Sequence, residues 1–506
     1  MSQTRGEVPP STTAPLDRVL PELDADLLRR YDTVGPRYTS YPTAREFGPH
    51  FGEEEYRRSA ELSRQGADTA LSLYIHIPFC ESPCFYCGCN RLITRDHDAA
   101  DRYIEYLVRE ATIVAPLLDR TREVRQLHLG GGTPNFLRAR QLSSLMDDLD
   151  RRFHLSSAAA RDYSVELDPR FLTEEFIPEL ARCGFNRASF GVQDFDPDVQ
   201  RAVNRIQSIA QTLDAIEACR TRGFRSINID LLYGLPRQTV ESFRKTLRAV
   251  VEARPERVAV YGYAHLPNLF KAQRRIPPRE LPDAEERVGL LRLAIEELGG
   301  AGYLYIGLDH FALPQDDLAV ARERGGLHRN FMGYTVHADC DLIGLGVSAI
   351  SHTGDSYSQN HRELERWEGA LDEGRLPIWR GLTLSFDDRV RADVIQRIMC
   401  VGEVDVPAVE KRHGIDFASY FALELGRLAV LEDDGLITQD GGRIRASARG
   451  RLLLRLVAMT FDRYVGAASL ASATNAGQTA ASSAKGRPTT AAQPGGSAQS
   501  PFSRVI

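Results

Sequence analysis

An α/β fold built on a partial (β/α)6 barrel, followed by a mostly helical C-terminal domain, is what this sequence predicts. Three observations carry the prediction. Six short runs of apolar, β-branched and aromatic residues alternate with amphipathic helical stretches. Nearly every run ends in glycine or polar residues. After about residue 300 the alternation stops and helical patterns take over. Strand–helix alternation in series implies a parallel sheet, because parallel neighbours need a crossover between them.

The six runs are residues 71–79, 124–132, 162–168, 187–195, 226–234 and 257–266. Their near-continuous apolar character suits strands buried in a parallel sheet. Helical spacing of apolar residues marks 100–118, 208–223 and 239–254, and the second of these stops at Arg222-Gly223, a usual C-terminal signal. The run ends decide between an open sheet and a barrel. They carry Cys80 and its loop, Gly130-Gly131-Gly132-Thr133-Pro134, Glu166, Gln193, Asp230 and Tyr263-Ala264-His265. In a TIM-like barrel all strand ends converge on one mouth, whereas an open sheet offers one crevice at its switch point. Turns and helix caps also favour such residues one at a time; six in series favour the barrel.

The chain is expected to divide into an N-terminal arm (1–35), a catalytic domain (36–301), a mostly helical C-terminal domain (302–465) and a disordered tail (466–506). The tail is rich in Ala, Ser, Thr and Gly and has too few large apolar residues to offset its ordering entropy. The formal net charge of -6 gives no global basic field for nucleic acid, so an acidic ligand needs a local group of arginines. No apolar run approaches the roughly 18 residues of a membrane span, and the polar, Pro-rich start does not resemble a signal peptide. A cytoplasmic protein is expected.

Of eight cysteines, four fall within ten residues: Cys80, Cys84, Cys87 and Cys89. Cys183, Cys219, Cys340 and Cys400 are scattered and read as small apolar residues. The C-x3-C-x2-C spacing puts three thiolates in one tight loop after the first strand. Iron–sulfur clusters commonly take four cysteines; three leave one iron open, as catalytic metal sites keep an open position. The rival is zinc, with Cys89 or His76 as fourth ligand, but zinc sites usually show two separated pairs. The Gly130-Gly131-Gly132 run permits close approach of backbone to a ligand, and its amides suit a carboxylate.

Together these motifs resemble the radical S-adenosylmethionine (SAM) superfamily. The segments 36–44, 74–90, 128–134, 165–170, 191–195, 203–205, 228–236, 263–267, 328–335 and 345–351 are similar, in order, to the oxygen-independent coproporphyrinogen III oxidase family. The likeness runs from about Tyr31 to about Tyr464. It implies a [4Fe–4S] cluster on Cys80, Cys84 and Cys87, and two SAM molecules. It implies decarboxylation of two propionates of coproporphyrinogen III to the vinyl groups of protoporphyrinogen IX, through a 5′-deoxyadenosyl radical, in haem biosynthesis. Carried residue by residue, it puts Tyr74, Gly131, Glu166 and Ile350 on the cluster-bound SAM. Tyr86, Gly132, Thr133, Gln193, Arg205, Asp230 and Ala264 fall to the second SAM, with Tyr86 where the family usually has Phe. Cys89, implied as catalytic with a packed thiol beside the cluster as the alternative, and the 36–44 segment favour the oxidase over a haem chaperone or a radical SAM methyltransferase of related fold. The implied partners are an electron-donor protein and an electron acceptor, and the implied state is a monomer. Arg37 and Arg329 are the candidate binders of the substrate's carboxylates; surface or capping roles are the alternative.

Overall fold

The computed structural model describes residues 21, 24–31, 33–65 and 69–465. The expected tail lies outside the described residues, as does most of the arm. Six strands form the centre: β1 (Leu71–Ile77), β2 (Glu123–Gly131), β3 (Asp162–Leu167), β4 (Arg187–Gln193), β5 (Ser226–Tyr233) and β6 (Arg257–Gly262). Each pairs in parallel with the next in sequence. The helices that follow them are α1 (Ala99–Val114), α2 (Ala139–Arg152), α3 (Phe176–Arg182), α4 (Ile209–Thr221), α5 (Val240–Ala253) and α6 (Ala284–Gly300). Local chemistry starts and stops them. The Ser208 hydroxyl caps α4 by accepting from the Gln211 amide at 3.1 Å, and Gly223, at φ +82°, lets the chain leave it. On α2, Leu142, Leu145, Met146 and Leu149 form one buried stripe toward the sheet.

The strands are not uniformly apolar. Leu73, Ile75, Val165, Phe190, Ile227 and Ile229 point outward into the core under the helices. The residues between them, among them Tyr74, Glu166, Ser189, Asn228 and Asp230, face the barrel interior and line its cavities. The interior is therefore a polar chamber rather than stacked branched side chains.

The barrel is open, as expected, but its sheet does not stop at Ala301. His310–Ala312 pairs antiparallel with β6, and Leu304–Gly307 pairs with that strand. At the other edge Asp341–Leu345 lies parallel to β1, followed by Ile350–Thr353, Ser356–Asn360 and Ile378–Thr383 in antiparallel order. Helices Asp317–Glu323 and Leu364–Asp372 lie among these strands, and the mostly helical part of 302–465 begins at Phe386. From there, helices Phe386–Cys400, Val406–His413, Ala422–Asp433 and Leu454–Thr460 pack with a small three-stranded sheet.

This C-terminal core also takes in the start of the described chain. Leu27 and Tyr31 are 8% and 1% exposed within it. Tyr38 donates to Asp462 at 2.8 Å, the Arg463 amide donates to the Tyr41 hydroxyl at 3.1 Å, and Arg455 donates to the carbonyls of Gly35 and Pro36. The N-terminal arm is thus anchored at its inner end. No described helix is long and apolar enough to cross a membrane.

Candidate active site

Strand β1 delivers the chain to the cysteine loop. Phe79–Cys80 pairs with Leu92–Ile93, and the bonds Leu92 N to Pro78 O (2.7 Å) and Thr94 N to Cys80 O (3.0 Å) close the loop's base. Arg91 reaches inside it, donating to the carbonyls of Cys87 (3.0 Å) and Cys84 (3.1 Å). From the other side Phe85 N donates to Val203 O at 2.9 Å, and Asn204 Nδ2 donates to Pro83 O at 2.7 Å. The residues around the loop aim at sulfur. Thr133 Oγ1 lies 3.2 Å from Cys80 Sγ, Arg170 and Arg205 donate to Cys84 Sγ at 3.5 and 3.6 Å, and the Cys89 amide donates to Cys87 Sγ at 3.4 Å. Burial pushes the Cys80 thiol up to about 11. The Cys89 thiol's hydrogen bond, helped by Arg91, brings Cys87 down to about 6 against burial.

All three thiols line one cavity of about 360 Å³. Among the described residues no three His, Cys, Asp or Glu side chains meet tightly enough for a single metal ion. Thiols spread around a chamber, with arginines and N–H groups directed at them, suit a cluster of several irons: such donors stabilise thiolates and cluster sulfur. His76, the alternative zinc ligand, has both ring nitrogens engaged. Nε2–H donates to the Asn90 carbonyl at 2.9 Å, so Nδ1 accepts from the Tyr74 hydroxyl at 3.0 Å.

The glycine loop forms the next wall. Gly132 N donates to Ile77 O at 2.7 Å. A Cβ on Gly132 would stand 2.6 Å from Pro78 O, and one on Gly131, at φ +112°, 2.6 Å from the His76 ring. Glu166 accepts from the Gly131 amide at 3.1 Å and lies 3.3 Å from His128 Nε2. Burial opposes its charge, but the hydrogen bond and charge of His128, with the Gly131 amide, hold the carboxyl below the usual range. Its side chain is deep in the fold yet 46% accessible, because it faces the chamber. Asp230 accepts from Ser189 (2.8 Å) and Asn228 (2.9 Å); burial pushes it up to about 6.

Glu166 lines three adjoining cavities: the cysteine cavity, a side cavity of about 260 Å³ and a lower one of about 350 Å³. The two sets of expected SAM contacts are spread over the first two, with Gly131 and Glu166 lining both. Tyr74, Gly131, Glu166 and Ile350 all line the side cavity. Tyr86, Gly132, Thr133, Gln193, Arg205 and Asp230 line the cysteine cavity. Cys89 stands on both walls. Ala264 is the exception and lines none of the three; its carbonyl shares the Gln273 side-chain amide with that of Tyr86, so it supports the cysteine loop.

The Radical SAM superfamily profile matches residues 74–250, and that of the HemN C-terminal domain matches 384–453. An oxygen-independent coproporphyrinogen III oxidase from Pseudomonas aeruginosa is 49% identical over 442 residues, covering 87% of this chain and 96% of the relative. The Synechocystis protein of that name is 42% identical over 448 residues, covering 88% and 96%. The solved Escherichia coli coproporphyrinogen III oxidase (HemN), described as a radical SAM enzyme, superposes with a TM-score of 0.84 at 44% identity, covering 88% of this chain and 100% of that one. The chain belongs to the oxygen-independent coproporphyrinogen III oxidase family.

Within this oxidase family chain, several residues at the site escaped sequence reasoning. Arg91 pins the cysteine loop although nothing but its place after Asn90 signals it. Asp168 accepts from Arg170 at 2.7 Å and Arg205 at 3.0 Å, tying β3 to the loop that carries Arg205. Glu110 on α1 accepts from Gly346 N (2.8 Å), Asn360 Nδ2 (2.6 Å) and Trp367 Nε1 (3.0 Å), fixing the turn that leads to Ile350; burial pushes its carboxyl up to about 8. The two candidate carboxylate binders differ. Arg37 is paired with Asp309 and stands 5.5 Å from the centre of the Tyr261 ring. Arg329 is 4% exposed and lines the lower cavity.

Proposed function

We propose that the protein catalyses the oxidative decarboxylation of coproporphyrinogen III to protoporphyrinogen IX, converting two propionates to vinyl groups in haem biosynthesis. The observation that carries the reading is the shared wall. Cys89, Gly131 and Glu166 stand between the chamber holding the three cluster thiols and the side cavity. When bound there, a [4Fe–4S] cluster and SAM supply one-electron chemistry that removes a hydrogen atom from an unactivated carbon.

Cys80, Cys84 and Cys87 would hold three irons and leave the fourth to SAM. Tyr74, Gly131, Glu166 and Ile350 would seat that SAM. The ionised Glu166 accepts hydrogen bonds from its ammonium or hydroxyl groups, and Tyr74 with Ile350 walls it from solvent. Tyr86, Gly132, Thr133, Gln193, Arg205 and Asp230 would seat a second SAM beside it, with Ala264 placed to support Tyr86. Arg205 has its Nη groups committed to Asp168, Cys84 and the Gly191 carbonyl, so its part is to hold this wall together and favour an anionic ligand. Cys89 we assign as catalytic, from its place on both walls. Cys89→Ser is expected to retain the cluster while turnover falls at least about 100-fold; iron content and porphyrin product measured together check this.

The catalytic unit comprises residues 36–301 and the strands that extend their sheet, capped by the helical region. The enzyme works as a cytoplasmic monomer, served by an electron-donor protein and an electron acceptor. The test is an anaerobic assay of the reconstituted enzyme with SAM, reductant, coproporphyrinogen III and cell extract as acceptor source. Loss of two CO2 by mass, with Cys80→Ala inactive, is expected. SAM cleavage that leaves the propionates intact would point instead to a haem chaperone or a methyltransferase.

A further inference from the structure

The lower cavity, whose walls include Asp162, Glu166 and Asp230, contains a buried cation that has no ion-pair partner among the described residues. Arg329 belongs to the hairpin of His328–Asn330 and Gly333–Thr335, and its guanidinium lies 4.7 Å from the centre of the Tyr334 ring. Its Nε and Nη1 are fully buried and meet no hydrogen-bond partner among the described residues. Its neighbours are answered: Arg257 by Asp316 at 2.9 Å, Arg37 by Asp309. Beside it His310 leaves Nδ1 buried and unpartnered, with Nε2 3.5 Å from the Tyr261 hydroxyl. Burial, then the charges of Arg329 and Arg37, keep that imidazole neutral, so it adds a hydrogen-bonding group and no second charge. A guanidinium cannot shed its proton to relieve burial. An unpaired one is costly until an anion of matching shape enters, and a carboxylate matches its fork.

The height is right for the substrate. His310 is in register with Ala259, and Ala259 with Asp230. Asp230 faces both the lower cavity and the cysteine cavity. A ligand held by Arg329 therefore has its body at the junction beneath the cysteine chamber.

We propose that Arg329, with His310 beside it, grips a propionate carboxylate that the reaction keeps, and so orients the macrocycle toward the cysteine end of the chamber. This rests on the function proposed above. The substrate presents four carboxylates, of which two depart as CO2. Ion pairing stabilises a carboxylate as a carboxylate, so a departing one held here would lose that pairing as it left and strand the arginine again. A retained one stays paired in substrate, in the half-reacted intermediate and in product. Arg329 is thus a positioning residue that binds all three alike.

The test uses coproporphyrin III and protoporphyrin IX, oxidised forms of substrate and product, titrated by fluorescence quenching into anaerobic reconstituted enzyme with SAM. Both carry the retained carboxylates. In Arg329→Met, binding of both is expected to weaken by the same factor, about 10- to 100-fold, and Arg329→Lys should lie between Met and wild type. The ligand-free thermal midpoint of Arg329→Met should not fall, because no partner is orphaned. Weakening confined to coproporphyrin III would assign the arginine to a departing carboxylate and overturn the proposal. So would unchanged binding of both, or a lowered midpoint, which marks a structural arginine. A wild type that decarboxylates while Arg329→Met binds normally overturns this inference alone. A wild type that neither binds nor decarboxylates overturns the function with it.

Discussion

Replacing Gly132 by alanine should uncouple the glycine loop from the cysteine loop without unfolding the barrel. The new Cβ would stand 2.6 Å from Pro78 O, 2.7 Å from Phe79 O and 2.7 Å from Pro78 C. All three are backbone atoms at the root of the cysteine loop, so no rotamer change relieves them. Ordinary contact starts at 3.4 Å, so the two loops must part by roughly 0.8 Å, an overpacking cost of about 1–3 kcal/mol. The parting is opposed by the Gly132–Ile77 hydrogen bond of 2.7 Å and would open the 3.2 Å contact between Thr133 and Cys80. A displacement near 1 Å at reacting groups costs about 100-fold in rate. Gly132→Ala should therefore keep its iron, lose a few degrees of thermal midpoint and cleave SAM about 100-fold more slowly. Gly300→Ala is the control: nothing lies within 4 Å of its Cβ, and alanine suits a helix end better. Wild-type SAM cleavage by Gly132→Ala would show that the loops are not coupled through this contact.

Two further outcomes follow from residues behind the site. Glu110 has a folded pKa raised to about 8 by burial, so between about 4.5 and 8 the folded chain holds a proton that the unfolded chain has lost. The stability of the neutral form is complete below the lower value and is lost as pH rises to the upper one, by at most about 1.4 kcal/mol per pH unit. Glu110→Gln should flatten this fall; parallel curves of thermal midpoint against pH for the two proteins would sink the assignment. Arg91→Met removes two charge-assisted bonds to the Cys84 and Cys87 carbonyls, each worth about 1.5–3 kcal/mol. The reconstituted variant should surrender iron to a chelator at least about tenfold faster than wild type, and equal rates would remove Arg91 from the loop's support.

The parts of this architecture that were legible in sequence are those written locally. A strand followed by three cysteines in eight residues, or by three glycines, needs no knowledge of distant chain. The strands between 304 and 383 are three to six residues long, too short for a period to emerge, and their place is set by edges that only the folded barrel offers. Asp168 and Arg205 are 37 positions apart and meet only because β3 and the segment after β4 converge at one mouth. The polar interior was half visible: Asn228 and Asp230 interrupt an otherwise apolar run, at the two-residue spacing of one strand face. Ala264 was carried in by likeness alone, and its lack of a functional side chain leaves only its carbonyl to act. That Arg37 has an acidic partner, while Arg329 Nε and Nη1 meet no hydrogen-bond partner among the described residues, depends on where Asp309 falls, which no motif records.

The anchoring of residues 35–41 by Arg455, Asp462 and Arg463 sets an order of assembly. These partners lie some 420 positions apart in the chain. During synthesis the barrel strands, the cysteine loop and the glycine loop all leave the ribosome before the residues that tie down the arm. Until then the segment beginning at Arg37 has its contacts with Asp309 and Tyr261 but lacks these ties, and Thr39, which lines the lower cavity, is not yet fixed as a wall. The lower cavity is therefore completed last, after the cysteine loop has already left the ribosome.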